Sequence, residues 1–263
     1  MVIKIFKSFF LIINWKTIVT SIISLISTYL CIHFEIRAHF PIYLLSIAIV
    51  FPIVFSIDSA YKRREFALQY YADLKAHALS FYLATRDLVD TNEKNESEEI
   101  KTRLKSLFHN ISSNFMLAPD DAKEKEHEIY EQMNQLSERL KNFSDGGLNP
   151  GLVSRLHQYI SKMVISYGII RNIFYYRTPV TLRAYSKIFI YAFPVLFGPF
   201  SASTYQEYTH GIVYIIAVLY STILVSLDNL QEHIENPFDQ VGEDDIRFEV
   251  DEFDLSMNKK RLN

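Results

Sequence analysis

The chain holds one cysteine, Cys31, so no disulfide can close within it and no cysteine-rich metal site can form. Glycine and proline are scarce as well, seven and eight among 263 residues. That leaves few turn signals, and no stretch keeps up the period-two alternation of a half-buried strand. A disulfide-stapled or β-rich fold is therefore excluded, and long helices remain. Catalytic signatures are missing too. There is no HExxH, no glycine-rich phosphate loop and no Gly-x-Ser-x-Gly elbow, and none of the eight histidines has a histidine four residues away. His77, His109, His127 and His157 read as ordinary residues of helices, and no enzymatic activity is expected.

Formal charge is absent from four long runs: Ile18–Phe34, Phe40–Ile57, residues 188–206 and Gly211–Leu227. Each approaches the roughly 20 residues that cross a hydrocarbon layer. A chain 49% hydrophobic and 14% aromatic supports placing them in lipid. Thr17, Thr20, Ser21, Ser24, Ser27 and Thr28 crowd the first run, as in helices that pack against protein inside a membrane. Orientation follows from lysine and arginine. Of 27, only Arg37 lies between the first two runs and none lies between the last two. The rest belong on the cytosolic side, together with both termini. Residues 2–14, with lysines at 4 and 7 before an apolar stretch, read as an interfacial helix.

The expected organisation is an all-α membrane protein with four transmembrane helices and a large cytosolic helical region. Residues 1–57 hold the interfacial helix and first two spans, 58–187 the cytosolic region, 188–227 the last two spans and 228–263 an acidic tail. In the middle region, Phe66, Tyr70 and Leu74 continue the helix that leaves the membrane. Ile100, Leu104, Leu107, Ile111 and Phe115 form one core stripe, and Ile129, Met133, Leu136 and Leu140 a second. Leu152, Leu156, Ile160, Met163, Tyr167, Ile170 and Phe174 form a third. Pro119 suits a helix start, and residues 92–97 and 144–150 are the breaks. The tail carries 11 Asp or Glu against 4 Lys or Arg and is expected to run extended along a basic surface. Glu243, Asp244 and Asp245, like Asp120 and Asp121, are candidate oxygen ligands for a hard cation, although bare acidic groups of this kind are ordinarily solvated.

The second span ends abruptly in Asp58-Ser-Ala-Tyr-Lys62-Arg63-Arg64-Glu65. Within it Ile47, Phe51 and Phe55 recur every four residues and share one helix face. Such a row ordinarily faces lipid or a neighbouring helix, and a pore lining is the sharper alternative. Lys62, Arg63 and Arg64 either obey the positive-inside rule or form a basic vestibule that concentrates anions.

Four segments, in order and among four apolar spans, resemble the bestrophin family of anion channels and its bacterial relatives over most of the chain. They are Val54-Phe55-Ser-Ile-Asp58-Ser59-Ala60-Tyr61-Lys62-Arg63, Ala84-Thr85-Arg86-Asp87-Leu88, Pro179-Val-Thr-Leu182-Arg-Ala-Tyr185-Ser186-Lys187, and Ile234-Glu235-Asn236-Pro237-Phe238. The family's Trp-Trp is Arg64-Glu65 here, its glycine before the neck phenylalanine is Val54, and Pro52 interrupts the neck helix. The resemblance implies a homopentamer in a bacterial inner membrane that passes chloride or similar anions. Its hydrophobic neck would be Ile47, Phe51 and Phe55, its cytosolic aperture would lie near Arg183 and Ala184, and Asn236, Pro237 and Phe238 would be its tail signature. Animal members place an acidic metal clasp directly after Asn-Pro-Phe-Gly, whereas Asp239-Gln-Val-Gly242 precedes Glu243 here, which argues against calcium gating. No cofactor and no nucleic acid are expected, and the partners are the bilayer, small anions and further copies of the chain. Two other readings stay open: a helical membrane scaffold or sensor that binds a cytosolic partner, and a secondary transporter.

Overall fold

The computed structural model describes residues 13–89, 96–176, 179–204, 211–240 and 245–248. The expected interfacial helix therefore falls almost wholly outside the described residues, as do Glu243, Asp244 and most of the acidic tail. Among the described residues every regular element is a helix: α1 (Trp15–His33), α2 (Ile42–Leu88), α3 (Glu96–Phe115), α4 (Pro119–Asp145), α5 (Pro150–Tyr175), α6 (Val180–Thr204) and α7 (Ile212–Glu235). The chain divides into two compact units. Residues 13–62, 179–204 and 211–237 build the first, and 63–89, 96–176, 238–240 and 245–248 build the second.

In the first unit α1 packs against α6 and α7. Asn14 caps α1 by accepting the Lys16 amide at 3.0 Å, which satisfies one of the donors that a helix start leaves unpaired. The helix is amphipathic with its faces reversed. Thr17, Thr20, Ser24, Thr28 and Cys31 are buried, while Ile18, Ile22, Ile26 and Leu30 are exposed. Small hydroxyl residues let backbones approach closely and find acceptors there, and the apolar side chains are left for lipid. Ser24 Oγ donates to the Ala217 carbonyl of α7 at 3.2 Å, and Ser27 Oγ to the Val195 carbonyl of α6 at 3.1 Å. The second bond has a covalent cause. Pro199 carries no amide proton, so the carbonyl four residues back, Val195, loses its helical donor, and Ser27 takes the vacant role. Gly198 faces the same serine: a Cβ there would lie 2.3 Å from Ser27 Oγ and 2.9 Å from its carbonyl carbon and oxygen.

By length and composition α1, α2 and α7 can each cross a membrane. α6, expected as the third of four spans, is a continuous 25-residue helix through Pro194 and Pro199, and its Pro, Gly, Ser and Thr dilute its apolar character. The first half of α2 buries Ile49, Ile53, Ser56 and Ala60. Ile49 and Ile53 pack with Ile190, Phe193, Phe197, Ala217, Leu224 and Val225.

The second unit follows its periodicity closely. The stripes of α3 and α4 are buried throughout, and on α5 only Leu152 of the seven expected residues is less than buried. Pro119 and Pro150 both open helices, where a fixed φ and a missing amide proton cost nothing. α2 continues into this unit as expected, but its buried line is Ala67, Tyr71, Leu74, Ala78 and Phe81. Leu74 is buried as expected, whereas Phe66 is exposed and Tyr70 only partly covered, their places in the core line being taken by Ala67 and Tyr71. Tyr71, Phe115, Phe174, Phe238 and Phe248 form an aromatic cluster, with Tyr71 edge-on to Phe248 at 4.8 Å and Phe115 stacked on Phe238 at 5.1 Å. Beyond α7, the described tail residues Phe238, Ile246 and Phe248 are buried in this core.

Candidate functional site

The candidate site starts from the two faces of α2. Ile53 is fully buried at 0% exposure, whereas Ile47, Phe51 and Phe55 stand 49%, 55% and 61% exposed on the protomer. The Phe51 and Phe55 rings lie 5.9 Å apart, tilted by 39°. The three residues expected to share a face do share it, and that face is uncovered within one chain. Pro52 stands inside the continuous helix, so the Ala48 carbonyl has no amide donor four residues on. Ala48 is itself exposed.

Further along α2 the basic residues all have partners. Lys62 pairs with Asp58 at 2.6 Å, one turn back, and Arg64 with the adjacent Glu65 at 2.6 Å. Arg63 belongs to the second unit and donates from Nη2 to the Ile173 carbonyl at 3.1 Å. Neutralisation of Lys62 was legible as an Asp-to-Lys i,i+4 spacing; the Ile173 partner, 110 residues away, was not.

Of the aperture candidates, Arg183 Nη1 lies 3.4 Å from Glu235 Oε2, while Ala184 beside it is exposed. Glu235 is only 4% exposed, so Arg183 answers a buried carboxylate. One turn along α6, Lys187 reaches Glu232 at 2.5 Å, and Lys16 of α1 reaches the other oxygen of that carboxylate at 2.6 Å. Glu232 therefore ties three helices together. Composition places these acidic residues in a separate tail beginning at Asp228. In the structure α7 continues to Glu235, and no residue from 228 to 235 is exposed. The missed signal was spacing: 228, 231, 232 and 235 fall on one side of a helix, and 183 and 187 are one turn apart on an antiparallel neighbour.

In the tail signature, Pro237 is buried as the last residue of the first unit's share of the chain. Phe238, 1% exposed, packs on Phe115 and Phe174 in the second unit. Of the tail's cation candidates only Asp245 is described, and it is buried; Asp120 and Asp121 are both exposed in the first turn of α4. Among the described residues no group of three or more His, Cys, Asp or Glu is arranged to hold a metal ion. Elsewhere in the second unit Arg171 pairs with the buried Glu126 and lies over the Tyr175 ring at 5.1 Å. Burial, and then the nearby Glu126 carboxylate, push the Tyr167 hydroxyl well above the usual tyrosine range.

No protein-family model matches this chain, and no curated protein matches it. Solved structures do. A bacterial bestrophin homolog from Klebsiella pneumoniae superposes with a TM-score of 0.77 at 14% sequence identity, over 92% of this chain and 96% of that one. The same homolog with a mutation gives 0.78 at 14% identity, over 92% and 95%. A structure known only as a membrane protein gives 0.78 at 14% identity, over 93% and 98%. The all-helical architecture described above is therefore the fold of bacterial bestrophin homologs.

Proposed function

We propose that this chain is the subunit of a homo-oligomeric anion channel whose pore is lined by α2. The single observation that carries the reading is the two-faced start of that helix. Ile49, Ile53, Ser56 and Ala60 are consumed by packing within the protomer, and Ile47, Phe51 and Phe55 are left uncovered in one row. The bestrophin-homolog fold supports the same choice. Four short spans cannot enclose water and also hide their backbone polar groups, so an aqueous path needs several copies around an axis. Five is the number that the resemblance implies.

In that assembly the rows form rings of apolar side chains. A hydrophobic constriction gates by dewetting, and the edge of a phenylalanine ring, which carries partial positive charge, can face a passing anion. Lys62, Arg63 and Arg64 lie at the cytosolic end, with both termini on that side and four spans in all. Arg183 and Ala184 stand near the second constriction, and Asn236, Pro237 and Phe238 fasten the tail. The chain works without a metal cofactor. A transporter would rely on discontinuous helices, whereas α6 runs unbroken through Pro194 and Pro199.

The test is anion efflux from chloride-loaded liposomes carrying wild type, Phe51→Ala or Phe55→Ala. Wild type should release chloride, and both truncations should raise the rate by widening the ring. A chloride-impermeable wild type, or a potassium preference unmoved by either change, overturns the reading.

A further inference from the structure

A cavity of about 410 Å³ in the second unit is walled by Arg103, Arg139 and their carboxylate and amide neighbours, and their mutual pairing leaves it no ligand preference. The first unit contains a different kind of space. A cavity of about 320 Å³ lies between the start of α2, the end of α6 and the start of α7, walled by Ile42, Phe197, Phe200, Val213, Ile216 and Tyr220. Its volume falls at the lower end of the roughly 300–1,000 Å³ usual for small-molecule sites.

Three hydroxyl residues border it, Tyr220 among them, and the two on α6 donate within their own helix. Ser201 Oγ donates to the Phe197 carbonyl at 2.8 Å, and Thr204 Oγ1 to the Phe200 carbonyl at 3.2 Å. With both α6 hydroxyl protons engaged and the rest of the wall chiefly aliphatic and aromatic, the space suits an apolar guest better than water, which needs two to four polar partners. The surroundings indicate which guest. Tyr220 is the only exposed residue of the wall, and the residues around the site on the same helices, Tyr43, Ile212, Ile215 and Leu219, are exposed and chiefly apolar. The cavity is thus continuous with the surface of a helix bundle built to meet hydrocarbon.

We infer that this cavity holds an acyl chain of a membrane phospholipid. The site is apolar, aromatic-walled and specific for the chain of the lipid; it supplies no charged group for the headgroup. The inference rests on the membrane setting of α2 and α7 and not on conduction, so chloride efflux can fail without touching it.

The test reconstitutes the full chain in vesicles doped with phosphatidylcholine that carries a diazirine at the end of one acyl chain, followed by irradiation and peptide mapping. Adducts should concentrate in residues 197–204 and 213–220 above the density on the lipid-facing residues of α1. Ile216→Trp, which fills the space, should lose most of these adducts while the α1 adducts are unchanged. The inference is overturned if the two segments label no more densely than α1 in wild type, the result expected were a side chain of a second copy to fill the space. It is equally overturned if labelling persists in a correctly assembled Ile216→Trp. Val213→Phe serves the same arm where the tryptophan variant does not assemble.

Discussion

Replacing Gly198 by alanine adds one methyl group at a point where α6 leaves no room for it. The new Cβ would stand 2.3 Å from Ser27 Oγ and 2.9 Å from both the carbonyl carbon and oxygen of Ser27. A hydroxyl can swing away, but the backbone atoms can retreat only if α1 and α6 part. Two costs follow. Overpacking of this kind is worth about 1–3 kcal/mol. Ser27 Oγ must also leave the Val195 carbonyl, which Pro199 has already deprived of its helical donor, and an unpaired polar group away from water costs about 1–3 kcal/mol. Against these stands the better helix propensity of alanine, worth about 1 kcal/mol. The clash wins, leaving a net loss of roughly 1–5 kcal/mol. The assay is the thermal midpoint of the detergent-purified protein, read by loss of its monodisperse chromatographic peak. Gly168→Ala is the internal control, since nothing lies within 4 Å of a Cβ at that site and propensity alone should make it neutral or stabilising. Ser27→Gly on the Gly198→Ala background should restore only part of the loss, because the two backbone contacts persist. A Gly198→Ala protein as stable as wild type would refute the close approach of the two helices and the role of Ser27 as substitute donor.

Two further outcomes separate other parts of the structure. Arg183→Gln should destabilise by about 3–5 kcal/mol, because it strands the buried Glu235 carboxylate; Glu235→Gln should cost less, since a partly exposed arginine finds water, and equal midpoints for the two variants would contradict the burial asymmetry. Tyr167 has its folded pKa raised by burial, so its contribution to stability is complete below the unfolded value of about 10 and is lost as pH rises above it. Tyr167→Phe should flatten that alkaline limb in denaturant titrations between about pH 9 and 11, and an unchanged limb would assign the loss to other groups.

The second unit was legible because its helices are ordinary amphipathic ones, with a solvated face and a core face, and period 3.6 is the signal that sorts them. Pro119 was legible for an equally local reason, the missing amide proton; Pro150, expected within a break, opens α5 on the same ground. α1 inverts the sorting rule, and its hydroxyl run was the clue that this helix meets protein on its polar side. What the composition could not supply was pairing across helices. Ser27 with Val195, Lys16 and Lys187 with Glu232, and Arg183 with Glu235 each join residues 45 to 216 positions apart. Nothing in the local pattern of either partner names the other. The polar turn after Leu227 reads as tail on the same ground. A charged stretch at the end of an apolar run is normally solvated, and only the presence of three cations on neighbouring helix faces lets Glu232 and Glu235 stay inside.

That pairing alters the electrostatics of the proposed channel. Lys62, Arg63 and Arg64 alone would bring three positive charges per copy to the cytosolic end of α2. Asp58 and Glu65 lie on the same stretch of helix, bound to two of those cations, so the local net is +1 per copy (+3 from the basic residues, −2 from the acidic ones). Repeated around an axis, the belt still attracts anions, but through a field that ionic strength screens within about 10 Å at 0.1 M salt. Glu235 likewise offsets Arg183. Charge on the chain therefore supplies enrichment at the mouth and little discrimination inside. Under the proposed function, selection among ions then falls to the apolar rings at Ile47, Phe51 and Phe55, whose cost to an ion would be set by how much hydration it must shed. Weakly hydrated anions should accordingly pass more readily than chloride, and enlarging the ring at Phe51 should erase that order before it alters the dependence on salt.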